Sequence, residues 1–161
     1  MVRRFFRLLP ALLTWALLSV MVWGWIFSIL TDAPAEKKLI VYIDAPVNRG
    51  RELAGKLEES FPRSLIQFIE VRSFSYSMMG DSPASDGDIF IIPSENSDEY
   101  ADWFSGEPGE LFASAGESAP LSAYVRYAEN TDYLLFYSAS SVHTGELDHL
   151  ALELAALLKQ Y

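Results

Sequence analysis

The two histidines of this 161-residue chain, His143 and His149, stand in the heptapeptide HTGELDH with Glu146 and Asp148. Imidazole and carboxylate groups so close together are the usual donors of a zinc site or a related metal site. The spacing does not suit that chemistry. Positions 143, 146 and 149 step by three around a helix start, and neither the HExxH nor the HxxEH arrangement is present. With Thr144 as N-cap and the acids near the positive end of the helix dipole, these residues read as the opening of a helix, and no metal is expected. Serines are plentiful, but none stands in a GxSxG elbow or an SxxK pair, so no serine nucleophile has an identifiable base. Gly106 and Gly109 fit neither a phosphate loop nor a dinucleotide fingerprint. Cysteine is absent, which removes thiol nucleophiles, thiolate metal sites, disulfides and lipid attachment at a lipobox cysteine. The expectation is a non-enzyme without a cofactor.

Aromatic and methionine side chains are the remaining candidates: Phe74, Tyr76, Met78 and Met79 in a serine-rich stretch, and Tyr124 and Tyr127 further on. In open α/β sheets such side chains line a ligand crevice when they follow the carboxyl ends of parallel strands. The same residue types are more often plain core, and residue type does not by itself separate the two readings.

The elements that would position them begin with a membrane segment. Residues 8–30 read LLPALLTWALLSVMVWGWIFSIL, 23 positions without a charge. At about 1.5 Å per residue this crosses a hydrocarbon core of roughly 30 Å. Pro10 is placed in the first helical turn, and Trp23 and Trp25 at the far headgroup level. Arg3, Arg4 and Arg7 precede the run and no acid lies before Asp32, so the positive-inside tendency puts residues 1–7 in the cytoplasm and the rest outside. The alternative is a cleaved signal peptide, for which Ala33-Pro34-Ala35 offers small residues; the apolar run is long for that purpose.

Residues 31–37 read as a linker and 38–161 as one extracytoplasmic α/β domain. Removing the three leading arginines from 12 bases leaves nine against 22 acids, a balance of −13 for the outer part. Such a field repels nucleic acid; its plain reading is solubility and a domain that stands off an anionic membrane, and its sharper reading is attraction for cationic ligands. Lys38 to Ile43 (KLIVYI), Leu65 to Val71 (LIQFIEV), Asp88 to Ile92 (DIFII) and Tyr133 to Tyr137 (YLLFY) predict strands. Leu53, Leu57 and Phe61 predict a helix over 49–61, stopped by Pro62. A short helix is expected over 97–104, a loop over 106–120, and a strong amphipathic helix over 146–161. Alternating strands and helices predict a small, mainly parallel sheet with flanking helices.

KLIVYIDA followed by RELAGKLEESFP, then GDIFIIPS, and DYLLFYSASSVHTGELDHLALELAALL, resemble segments of the extracellular solute-binding proteins of ABC importers. In that family a strand and helix of this kind open the N-terminal lobe, and YLLFYSASSVHTG, with its Ser-x-His, is similar to a strand and polar turn that precede a helix. Residues 38–161 have length for one lobe rather than two lobes and a hinge, and a membrane anchor stands in place of a lipid-modified cysteine. The resemblance implies one lobe of a periplasmic-binding-protein fold. It implies a ligand cleft bordered by Ser73 to Met79 and by the turn from Asp44 to Arg49, with Pro93 to Glu95 nearby. Asp44, Phe74, Tyr76, Met78 and Ser94 are thus the expected ligand-binding residues. The partners it implies are the membrane, an ABC-type permease or another membrane protein, and a small or cationic solute. The alternative expectation is a non-catalytic membrane protein whose outer domain mediates protein–protein contact or has a structural role.

Overall fold

A computed structural model describes residues 2–31, 34–62, 64–74, 86–104, 109–114, 119–144 and 148–161, the side chains of 2–9, 29–31 and 101–103 excepted. The chain divides into two compact units, Met1–Ala33 and Pro34–Tyr161. The first is one helix, α1 (Val2–Thr31). Its stretch Pro10–Ser28 is long and apolar enough to cross a membrane, a property that a signal sequence shares. Because the helix starts at Val2, Pro10 stands inside it rather than in the first turn expected for it. The Thr14 hydroxyl donates to the Pro10 carbonyl at 2.9 Å, a local bond common where such helices are apolar.

The second unit opens with a 3-10 turn (Ala35–Lys37) and continues through β1 (Lys38–Ile43), α2 (Gly50–Glu59), β2 (Phe68–Ser73) and β3 (Ile89–Pro93). A 3-10 helix (Ser94–Trp103), β4 (Glu110–Ala113), β5 (Tyr133–Tyr137) and α3 (Leu150–Leu158) follow. The five strands form one sheet in the order β2-β1-β3-β5-β4. β1 pairs in parallel with β2 and β3, whereas β5 runs antiparallel to both β3 and β4. The sheet is therefore mixed, which corrects the mainly parallel expectation. The cause lies after β3: the Ser94 amide donates to the Asp132 carbonyl, so β5 starts where β3 ends and must run back.

β1 is buried on both faces, which is why its sequence is a continuous apolar run. Leu39, Val41 and Ile43 meet Leu53 and Leu57 of α2 and Leu154 and Leu158 of α3 in the larger core. Ile40 and Tyr42 point the other way, into an aromatic layer with Phe74, Phe90, Tyr100, Phe104 and Phe136.

Several boundaries differ from expectation. β2 begins at Phe68 because Leu65 and Ile66 donate their amides to the Pro62 carbonyl in a turn. The short helix expected over 97–104 is a 3-10 helix that begins three residues earlier, at Ser94, and ends at Trp103. The expected loop 106–120 contains β4. α3 starts at Leu150, and Thr144 is not its cap: the Thr144 hydroxyl donates to Ser141, while a carboxylate oxygen of Asp148 accepts the Leu150 amide at 3.4 Å.

Candidate functional site

The three parallel strands end along one edge of the sheet, and three of the five expected ligand residues lie there. Asp44 follows β1 directly, and its amide donates to the Ile91 carbonyl at 2.8 Å, so the backbone is fixed by β3. Phe74 follows β2, with its amide donating to Ile43 at 3.0 Å. Ser94 follows β3 and opens the 3-10 helix that carries Asn96 and Tyr100. Tyr76 and Met78, with Met79, lie outside the described residues.

Asp44 is the polar centre of this edge. Its Oδ2 accepts from Asn96 Nδ2 at 3.3 Å and from the Tyr100 hydroxyl at 3.5 Å. The Asp44 side chain is half-buried, and burial pushes its carboxyl above the usual range. The Asn96 and Tyr100 bonds pull against that rise and the Glu99 charge adds to it. Among the described residues no lysine or arginine forms an ion pair with Asp44. A half-buried carboxylate held by neutral donors is a suitable acceptor for an ammonium or amidinium group.

Phe74 serves the core instead. It is 6% exposed, and its ring meets Tyr42, Phe90 and Tyr100 edge-on at 5.6, 5.9 and 5.7 Å. It thereby braces Tyr100, which reaches Asp44. Ser94 is exposed, and its carbonyl accepts from the Ser97 hydroxyl at 2.8 Å. Tyr124 and Tyr127 are likewise packed. The Asn48 amide donates to the Tyr124 carbonyl, and the Arg126 amide to Pro46, which seals the turn from Asp44 to Arg49 on one side. Lys56 and Arg49 lie over the Tyr124 ring at 5.2 and 5.3 Å. The Tyr127 hydroxyl donates to the Pro120 carbonyl at 2.8 Å.

At the opposite edge of the parallel strands is a buried polar chain that the residue types did not announce. Asp88 precedes β3, and its Oδ2 accepts the Ile40 amide of β1 at 2.8 Å, while Oδ1 accepts the Ser141 hydroxyl. Burial pushes the Asp88 carboxyl up, against the pull of the Ser141 and Ile40 bonds. Ser141 Oγ in turn accepts the His143 amide at 3.1 Å. The His143 ring is fully buried: Nδ1 faces the Asp148 carboxylate at 3.1 Å, and Nε2 faces the Ala35 and Lys38 carbonyls at 3.2 Å each. Carbonyls only accept, so Nε2 carries a hydrogen. Both ring nitrogens are thereby committed, and neither activates Ser141, so the Ser-x-His turn is a fastening and not a nucleophile with its base. His143, read from the sequence as part of a helix start, joins the turn before β1 to the turn before α3.

Two open grooves lie on this same edge. One, of about 910 Å³, runs between the end of α2 and the start of β2, with Phe61, Ile66 and Phe68 in its lining. The other, of about 340 Å³, is lined by residues that include Glu36, Leu65, Leu150 and Glu153. Among the described residues no three histidines or acids are grouped as metal ligands. No protein-family model, no curated protein and no solved structure matches this chain.

Proposed function

We propose that this chain is a membrane-anchored, extracytoplasmic α/β module that binds a small cationic solute at the carboxyl edge of its parallel strands, without catalysing a reaction on it. It acts beside a transport system, with an ABC-type permease or another membrane protein as partner. The observation that carries the reading is Asp44, a half-buried carboxylate with its pKa pushed up, positioned by Asn96 and Tyr100 and facing no described cation. The negative balance of the outer part adds long-range attraction for a cation. The three leading arginines support the orientation, with residues 1–7 in the cytoplasm.

The test is thermal unfolding of the full chain in detergent, with a polyamine, basic and acidic amino acids, and a neutral sugar as ligands. A ligand at a hundredfold excess over its Kd stabilises the native state by about 2.7 kcal/mol. The expected result is a rise in melting temperature with the cationic compounds that Asp44→Asn abolishes. No rise with any cationic compound, or an equal rise in Asp44→Asn, overturns the reading. A second reading, an outer domain devoted to protein–protein contact or to structure, draws support from Phe74, which is spent in the core rather than open to a ligand.

A further inference from the structure

Around the turn from α2 into β2 the surface changes character. Phe61 and Ile66 are 7% and 3% exposed and make a firm apolar floor, whereas Leu65 and Phe68 beside them are 49% and 51% exposed. Phe68 lines a groove of about 910 Å³ and Leu65 the neighbouring one, so two large apolar side chains stand exposed at this corner. The rim is acidic. Glu58 and Glu59 line this groove, and Glu36, Asp148 and Glu153 line the neighbouring one, which Leu65 also borders. Lys37 is the described lysine in the linings of these two grooves, and Arg63 of the same turn lies outside the described residues.

We propose that this corner docks a basic segment with apolar tips, carried by a second membrane protein. The apolar floor sets the tips and the carboxylates set the charge, because opposite charges around an apolar centre steer encounter and select the partner. An anionic lipid surface and a second copy of this acidic chain are both disfavoured by the same rim. Glu36 follows Thr31, the end of α1, by five residues, so the tether is short and favours partners in the same bilayer. The contact is by side chains rather than by strand addition. β2 is the outermost strand, but the Ile69 amide on its margin is already taken by Glu58 Oε1 at 2.9 Å. This site lies on the opposite edge from Asp44 and is independent of the cation reading.

The experiment uses the full chain in nanodiscs of zwitterionic phosphatidylcholine and a fluorescent synthetic peptide of lysine and leucine, with a glutamate and leucine peptide as its counterpart. Expected are saturable binding of the basic peptide only, and a Kd at least tenfold higher in Phe68→Ser and in Glu59→Lys. Glu129→Lys, which makes the same charge change at an exposed position outside both grooves, leaves the Kd within twofold. Glu59→Lys removes no described contact and decides the matter if Phe68→Ser folds poorly. Absent binding, equal weakening by Glu59→Lys and Glu129→Lys, or binding of both peptides alike overturns the proposal. So does a change in oligomeric state of Phe68→Ser, which would make a second copy the occupant, or binding of the wild-type chain to phosphatidylcholine vesicles that Phe68→Ser abolishes.

Discussion

Asp88 shows how one side chain joins distant parts of the chain. Its two carboxylate oxygens serve a strand amide 48 residues back and a hydroxyl 53 residues forward, and the chain of bonds continues through Ser141 to His143. Removing it leaves the amide of Ile40, a residue 2% exposed, without its acceptor, so Asp88→Ala destabilises the domain by about 1–3 kcal/mol in chemical denaturation. Asp88→Asn keeps one oxygen and loses less. The two forms also differ in pH dependence. Burial raises the folded pKa of Asp88 above the ordinary 3.8, so its contribution is fully present below that value and is lost as pH rises through the folded pKa. Melting curves of wild type and Asp88→Asn therefore diverge in favour of wild type as pH falls from about 7 through the carboxylate range. A constant difference across that range contradicts the assignment. A fold held by partners so far apart in sequence is also why this site was not legible beforehand: nothing within a few residues of Asp88 or His143 names Ile40 or Ala35 as a partner. The family resemblance put Asp44 and Ser94 beside one cleft, and in the structure both follow carboxyl ends of the parallel strands, whereas residue type alone left Phe74 open between crevice and core.

Among the elements, those whose apolar residues decide the local period were legible and the others were not. KLIVYI is β1 to the residue, because a strand buried on both faces is apolar throughout and is bounded by Asp44-Ala45-Pro46. The 3.6-residue spacing in the last segment predicted α3, although its start moved to Leu150, where Asp148 meets the first free amide. β4 escaped notice because four residues at the sheet margin are too few to show a period, and its pairing carries an irregularity between Leu111 and Ala113. Its entry is set by Gly109, where a Cβ would overlap the Phe136 ring. Strand direction was not legible either, since DIFII and YLLFY look the same whichever way they pair. The packing of α3 supplies a prediction at this scale. Leu154 is fully buried against the sheet and Leu152 is 45% exposed. Leu154→Ala costs about 2–5 kcal/mol in urea unfolding. Leu152→Ala stays within about 0.5 kcal/mol. Comparable losses at both positions would mean that α3 presents a different face to the core.

At the scale of the whole molecule, two properties of the sequence make the anchoring testable in one experiment. Pro10–Ser28 is apolar enough to span a bilayer, and a retained anchor and a signal peptide cleaved at Ala33-Pro34-Ala35 differ in whether residues 1–35 survive in the mature chain. The absence of cysteine means that a single introduced thiol is the only maleimide target the protein has. Ser122 is exposed in the second unit and offers a neutral position for it, while Val2 lies on the arginine side of the apolar run. With the positive-inside orientation, Ser122→Cys reacts with a membrane-impermeant maleimide in intact cells, and Val2→Cys reacts only after lysis. Both labelled proteins remain in the membrane pellet after alkaline carbonate washing and keep the mass of the full chain. Labelling of Val2→Cys in intact cells together with protection of Ser122→Cys would reverse the orientation and place the acidic domain, with Asp44, in the cytoplasm. Loss of residues 1–35 from the Ser122→Cys protein would instead make the apolar run an export signal. The second unit would then lack a tether, and the proposed docking surface at the α2–β2 corner could meet a membrane protein only by free diffusion.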